Sequence, residues 1–240
     1  MINKNNKFLA PLLNTPSNYL WFWMAIVVLQ LFKIYEGDRV FFVNHFGEDY
    51  QDIEALKWAK WTWHNFSTFF LYVIVPIAII KFKFKEPLKN YGLGLGEWKY
   101  GIAFILIGSC VTPFVAYNIS QNAEHVTFYQ AEFPMELAHQ STLYFILWSL
   151  TMLPHYIGYD FFYRGFVQFG LTKRFDAFTG IMAQTTLTML MHIGKPQGET
   201  WGSFVGGVIM GLVAHRTKSF WWVMIFHFIL GVLNSYFCGI

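Results

Sequence analysis

The sequence predicts an all-α fold, a polytopic membrane helical bundle of about seven to eight transmembrane helices. Of its 240 residues, 55% are hydrophobic, 21% are aromatic and only 13% are charged, whereas soluble domains have roughly 25% charged residues. Apolar runs long enough to cross a bilayer recur along the chain. Short polar connections separate them, and basic residues cluster in alternate connections. Together, these observations indicate repeated crossings of one membrane.

Seven apolar segments are predicted as spans. In chain order they are residues 19–34, 61–80, 98–117, 141–171, 178–193, 201–215 and 220–236. The segment from Asp52 to Trp63 has helical spacing of its apolar residues. It either lies on the membrane surface or leads straight into the second span. Pro113 and Pro154 are expected to kink the helices that contain them.

Charge sets the expected orientation. Lys4 and Lys7 precede the first span, and the lysine cluster 81–89 and the basic turns 173–174 and 216–218 follow later spans. The positive-inside rule places all of them in the cytoplasm. We therefore expect an integral protein of a bacterial inner membrane with its N-terminus in the cytoplasm. The lipid bilayer is its first expected partner.

The sixth predicted span contains four glycines, which form two interleaved pairs of small residues four positions apart. These pairs are Gly202 with Gly206 and Gly207 with Gly211. Pairs of this kind let membrane helices approach each other closely. The sequence therefore predicts a tight helix contact here, although it does not indicate the partner helix.

One stretch, His155 to Gly165, places an acid and a base in otherwise apolar sequence. An ionisable group near the bilayer centre costs about 2.5–3.5 kcal/mol on insertion scales, so it normally faces a protein interior or a cavity. Asp160 and Arg164 are four residues apart and can pair on one helix face. Such a pair either belongs to a site or only fastens the bundle.

Several classes of function are disfavoured. The net charge of +3 is small and scattered, so we expect no nucleic-acid partner. The glycine-rich segment 91–96 has no preceding strand, which argues against nucleotide binding. Cys110 and Cys238 both lie in apolar surroundings and predict no disulfide framework. We expect no cofactor.

A metal site is the least favoured arrangement of the histidines. His192 and His227, with Asp160 or Glu199, could provide two imidazoles and one carboxylate. The sequence lacks a His-Glu-x-x-His helix, which is the usual signature of a zinc protease. We therefore expect no metal ligands.

The order of motifs in the last third of the chain resembles the CPBP family of intramembrane proteases. It consists of Asp160-x-x-x-Arg164-Gly165, an apolar helix ending in His192, a glycine-rich helix and a final helix carrying His227. This family is also called the Abi or CAAX-protease family and includes Rce1-like enzymes. The resemblance covers roughly residues 141–238. We therefore treat 1–240 as a single membrane domain with variable N-terminal spans (1–140) and a CPBP-like core (141–238).

The resemblance implies roles for particular residues. The family's first motif is Glu-Glu-x-x-x-Arg, and here the two acids fall on Tyr159 and Asp160. The second-motif histidine, which activates water together with the first acid, falls on His192. The third motif supplies a histidine and an asparagine that stabilise the oxyanion, and these fall on His227 and Gly231. The chain therefore departs from the family pattern at Tyr159 and Gly231.

Other residues are candidates for the roles left open. The base is either Asp160 or Glu199, which follows His192 by seven residues across Gly194 and Pro196. Tyr159 could donate a hydrogen bond to an oxyanion or to water. Asn234 lies seven residues after His227, two turns along the same helix face, and could substitute for the missing asparagine.

The leading prediction is an intramembrane endopeptidase that uses activated water to cleave a membrane-associated protein or hydrophobic peptide. The alternative is a catalytically inactive homologue that binds a partner membrane protein, a peptide or a lipid as a chaperone, immunity or assembly factor. A transporter is a third class, but the sequence has no repeated half of the kind common in transporters.

Overall fold

The fold is helical throughout, as the sequence predicted. The computed structural model describes residue 8 and residues 10–239, and no strand is present within them. Lys4 and Lys7 lie outside the described residues. In this part of the chain, four helices are long and apolar enough to cross a membrane. The chain is therefore an integral membrane protein with an all-α bundle.

The N-terminal part contributes five longer helices: α1 (Ser17–Tyr35), α2 (Arg39–Phe46), α3 (Ile53–Phe84), α4 (Trp98–Ile119) and α5 (Ala123–Glu132). Three of these, α1, α3 and α4, are candidate spans. Short helical turns lie between or before them, at Ala10–Leu13, Gly47–Asp49, Leu88–Tyr91 and Met135–Ala138.

The C-terminal part begins with α6 (Thr142–Asp160), which continues without a break through a π-helical segment (Phe161–Val167) into α7 (Gln168–Arg174). Three further helices follow: α8 (Ala177–Leu190), α9 (Gln197–Thr217) and α10 (Trp221–Cys238). The last of these is the fourth candidate span. Both α4 and α6 run through their internal prolines, Pro113 and Pro154.

Helix α3 decides between the two alternatives for the segment from Asp52 to Trp63. The helix is continuous over 32 residues, so this segment leads straight into the span. Asp52 caps its start, because its carboxylate accepts a hydrogen bond of 2.7 Å from the backbone N–H of Ala55. Trp61 and Asn65 are buried, which shows that this part of α3 packs against protein.

The basic connections lie together at one end of the bundle. Glu86 forms an ion pair of 2.8 Å with Lys173, and Glu97 forms an ion pair with Arg216. The segment before α4 therefore contacts both later basic turns, at 173–174 and 216–218. This grouping is what the charge pattern requires of loops on one side of a membrane. That this side is cytoplasmic stays a prediction.

The other end of the bundle is held by α5 and the polar residues around it. Glu132 forms ion pairs with Arg39 at 3.1 Å and with Lys60 at 3.4 Å. Its backbone carbonyl also accepts a 2.8 Å hydrogen bond from the indole N–H of Trp61. These contacts fix the end of α5 against α2 and the first turns of α3.

Of the two glycine pairs, Gly207 with Gly211 makes the predicted close contact between helices. A Cβ atom added at Gly207 would lie 3.0 Å from Thr185, and one added at Gly211 would lie 2.6 Å from Gln184, both on α8. Gly202 has no neighbour within 4 Å. The amide of Gln184 donates to the carbonyl oxygen of Gly207 at 2.8 Å. Close approach therefore lets a buried polar side chain link α8 to α9.

Candidate active site

The centre of the site is the junction between α6 and the π-helical segment. Asp160 is the last residue of α6, and all seven residues from Phe161 to Val167 are buried. Asp160 Oδ1 lies 3.2 Å from Arg164 Nη1, and both side chains are almost fully inaccessible to solvent. π-helical turns occur frequently at functional sites because they shift the register of side chains along a helix.

The second partner of Asp160 is His227, on α10. Its Nδ1 lies 3.0 Å from Asp160 Oδ2. Because the carboxylate is ion-paired with Arg164, it accepts this hydrogen bond, and Nδ1 carries the proton. Oδ2 of Asp160 therefore accepts from His227, whereas Oδ1 faces the Arg164 guanidinium as an ion pair without a hydrogen bond. Among the described residues, His227 Nε2 has no hydrogen-bond partner.

His192 forms a separate pair with Glu199. The two are linked by a turn in which Gly194 has φ of +92°, a conformation that favours glycine. His192 Nε2 lies 3.9 Å from Glu199 Oε1. His192 Nδ1 lies 2.8 Å from the backbone carbonyl oxygen of Thr188. A carbonyl only accepts hydrogen bonds, so Nδ1 carries a proton and the neutral ring presents a lone pair at Nε2.

Two further residues hold the Glu199 carboxylate. Lys195 Nζ lies 2.5 Å from Oε1, and the Tyr129 hydroxyl donates a 3.0 Å hydrogen bond to Oε2. Burial, followed by the charge of Glu199, raises the pKa of Tyr129 well above its usual range. Tyr129 is therefore a neutral donor at any physiological pH. It lies on α5, and sequence reasoning missed it because nothing in its surroundings marks it.

Tyr159 stands beside the Asp160 group. Its ring centroid is 5.7 Å from that of His227, and the Arg164 guanidinium lies 5.5 Å from the ring centre. Its hydroxyl donates a long 3.4 Å hydrogen bond to the carbonyl oxygen of Thr188. Thr188 thus accepts from both Tyr159 and His192. This shared carbonyl connects the two pairs.

Gly231 lies against a tyrosine from another helix. A Cβ atom added at Gly231 would lie only 1.7 Å from the hydroxyl oxygen of Tyr156, on α6. The Tyr156 ring packs edge-on against His227, with centroids 4.8 Å apart. Sequence reasoning missed Tyr156 as a site residue, although it lies one helical turn before Asp160.

A hydrogen bond to α5 holds the Asn234 side chain away from His227 and Gly231. Its side-chain oxygen lies 2.8 Å from Nε2 of His125, on α5. The same oxygen is 3.9 Å from the Cys238 sulfur. Asn234 therefore links the last turns of α10 to α5.

The site consists of two acid–histidine pairs of different accessibility. In one, the side chains of His192 and Glu199 are 15% and 19% exposed. In the other, Asp160 is 0% exposed and His227 17%. The carboxylate of Glu199 is therefore accessible from outside the protein, whereas that of Asp160 is not.

The two pairs do not converge on one metal-binding cluster. Within the part of the chain that the structure describes, no three side chains of the His, Cys, Asp and Glu types are grouped closely enough to hold a metal ion.

Comparison with known families matches the region that carries both pairs. Residues 140–233 match the family described as type II CAAX prenyl endopeptidase Rce1-like. The matched region contains α6 to most of α10, and it excludes Tyr129 and Asn234. No curated protein and no solved structure matches the chain.

Proposed function

We propose that this chain, which over residues 140–233 belongs to the Rce1-like family, is an intramembrane endopeptidase. In this proposal, Glu199 and His192 activate the water that attacks the peptide carbonyl. The substrate is a membrane-associated protein or a hydrophobic peptide, because the site lies within a helical bundle whose outer surface is apolar. The observation that carries the proposal is the geometry of this accessible pair.

The 3.9 Å between His192 Nε2 and Glu199 Oε1 is too long for a direct hydrogen bond. It suits a bridging water, because an oxygen about 2.8 Å from both atoms would subtend an angle of about 90° between them. Both atoms are acceptors in the protonation states described above. Each can therefore take one of the two water hydrogens, which is the arrangement that general-base catalysis requires.

The reaction then balances in two steps. The water oxygen bonds to the peptide carbonyl carbon while its proton passes to the Glu199–His192 pair, giving a tetrahedral oxyanion. The same pair returns the proton to the peptide nitrogen as the C–N bond breaks, which releases a carboxylic acid and an amine. Lys195, beside Glu199, stabilises the charged carboxylate that begins this cycle.

In this proposal Asp160 has an orienting role. It is fully buried, and its oxygens face Arg164 and His227, so it has no free lone pair in the accessible part of the site. Its hydrogen bond fixes the His227 ring with Nε2 directed away from the carboxylate. Because Nδ1–H already donates to Asp160, Nε2 donates only when the ring carries both protons. In that form it would hydrogen-bond to the developing oxyanion, the type of interaction that typically contributes the largest share of catalysis.

The test is cleavage by the purified protein in lipid nanodiscs. A suitable panel contains hydrophobic peptides and farnesylated peptides with a C-terminal CAAX sequence, with cleavage followed by mass spectrometry. Glu199→Gln and His192→Ala should each lower kcat by about 10²–10⁴-fold, the usual contribution of a general base. Glu124→Gln is the matched control, since Glu124 is exposed on α5.

Three results would contradict the proposal. The first is a wild-type protein that cleaves no peptide in the panel, and the second is cleavage that survives in both site variants. The third is an equal loss in the Glu124→Gln control, which would show that the assay does not report on the site.

The departures at Tyr159 and Gly231 favour one alternative, a homologue that binds a partner without cleaving it. Tyr159 provides no carboxylate, and Asp160 is fully engaged. This alternative predicts a membrane protein, peptide or lipid that co-purifies intact. If the chain only binds a partner, the partner should still co-purify with the His192→Ala variant. If the chain is a protease, uncut substrate should co-purify with the His192→Ala variant and not with the wild type.

A further inference from the structure

The Tyr156 hydroxyl is a polar group with no structural partner. Among the described residues it has no hydrogen bond, although Tyr156 is half-buried on a helix at the centre of the bundle. The hydroxyl is not among the fully buried polar atoms that lack a partner, so it is accessible and free to donate a hydrogen bond to a bound molecule.

The space for this hydroxyl is made by Gly231. Any side chain there would overlap the Tyr156 oxygen, since the first carbon would lie 1.7 Å away. The two positions therefore form a matched pair, with a hydroxyl from α6 placed where a side chain of α10 would begin.

Tyr156 also lies beside the Asp160–His227 pair. Its ring packs edge-on against His227, with centroids 4.8 Å apart, and Tyr156 is one helical turn before Asp160 on α6. Gly231 is one helical turn beyond His227, about 5.4–6 Å along the same face of α10. One oxygen can accept from two donors only if the donors lie no more than about 5.6 Å apart, twice the length of a hydrogen bond of about 2.8 Å, and one turn of α10 is close to that limit.

We infer that Tyr156 is a catalytic residue whose hydroxyl donates a hydrogen bond to the oxyanion, opposite His227. The inference rests on the proposed endopeptidase function. The peptide carbonyl oxygen gains negative charge as water adds, and the Tyr156 hydroxyl stabilises that charge without transferring its proton. The ring on His227 and the space at Gly231 fix the position of the donor before substrate arrives.

The first experiment compares the steady-state kinetics of Tyr156→Phe with those of the wild type in nanodiscs. Removing one oxyanion donor should lower kcat by about 10²–10³-fold. KM should change little, because the interaction exists only in the transition state. Tyr144→Phe is the matched control, since Tyr144 is on the same helix and exposed.

The second experiment exchanges the donor between helices. Gly231→Asn alone should be inactive, since the amide collides with Tyr156. Tyr156→Ala should lower kcat at least as much as Tyr156→Phe, because it also lacks the hydroxyl. The double variant, Tyr156→Ala with Gly231→Asn, supplies an amide donor in the space vacated by the ring and should recover at least about tenfold in kcat over Tyr156→Ala.

The outcomes separate the two proposals. Cleavage by the wild type with none by His192→Ala supports the endopeptidase. If Tyr156→Phe then retains wild-type kcat, or if the double variant gains nothing while its thermal unfolding matches that of Tyr156→Ala, the inference about Tyr156 is wrong and the function stands. A wild type that cleaves nothing overturns both.

Discussion

Asp160→Asn would keep the shape of the side chain but remove the negative charge that faces Arg164. The consequence is large because Arg164 is buried, and Asp160 is its one ion-pair partner in the described part of the chain. The Nε and Nη1 atoms of Arg164 have no hydrogen-bond partner. The substitution therefore leaves a buried positive charge without compensation.

The expected loss follows from measured pairs of this kind. Removing one partner of a buried ion pair costs about 3–5 kcal/mol, mostly through the charge left behind. In a chain of this size, each kcal/mol lowers Tm by about 2–4 °C. Asp160→Asn should therefore lower Tm by roughly 6–20 °C.

The assay is thermal unfolding in a single detergent, followed by tryptophan fluorescence. Glu97→Gln is the control, because it also breaks an ion pair with an arginine, but both partners are half-exposed. We expect no measurable change in Tm for that variant, since exposed pairs contribute little. A double variant, Asp160→Asn with Arg164→Met, should regain most of the loss, because the unpaired charge is gone.

Equal Tm values for Asp160→Asn and the wild type would refute this reasoning. So would a double variant that is less stable than Asp160→Asn, because that result would place the stabilising contacts on Arg164 alone. The activity of Asp160→Asn has a separate meaning. Loss of cleavage with recovered stability in the double variant would show that cleavage depends on the Asp160–Arg164 pair itself and not only on the stability that the pair provides.

Two other predictions concern packing and pH. Gly207→Leu should lower the free energy of unfolding by about 1–3 kcal/mol through contact with Thr185 on α8, whereas Gly202→Leu, in open space, should be neutral in the same denaturant titration. Burial opposes ionisation of Asp38, but His64, the charge of Arg39 and the backbone N–H of Val40 together outweigh this and hold the pKa of Asp38 well below the usual range. Asp38 therefore binds fewer protons folded than unfolded, so its stabilisation exists above about pH 3.9 and fades as the pH falls further. Asp38→Asn should flatten the acid limb of a plot of Tm against pH, and an unchanged limb would contradict that assignment.

Much of the fold could be predicted because membrane helices are defined by local composition. The predicted second span and the amphipathic segment before it show the limit of such reasoning. A helical pattern from Asp52 to Trp63 suits both a surface helix and the buried start of a span. Only the contacts of Trp61 and Asn65 with other helices decide between them, and the sequence of α3 does not contain those contacts.

The site shows the same division between local and tertiary information. The spacing of Asp160 and Arg164 predicts their pairing, because residues four apart share a helix face. Which carboxylate faces His192 depends on the turn at Gly194 and on the support given to Glu199 by Tyr129. That support comes from α5, outside the matched family region, and no local pattern announces it.

Gly231 is where motif comparison and structure lead to different conclusions about the same residue. In sequence, the glycine is the loss of a side chain with a donor, and it argues for an inactive relative. In the structure, that loss is also what makes room for the Tyr156 hydroxyl. A sequence motif describes which residues occupy given positions of one helix. An oxyanion, however, can accept a hydrogen bond from a donor on any helix that reaches it. An absent motif residue is therefore evidence of inactivity only where no neighbouring helix fills its place, and here α6 does.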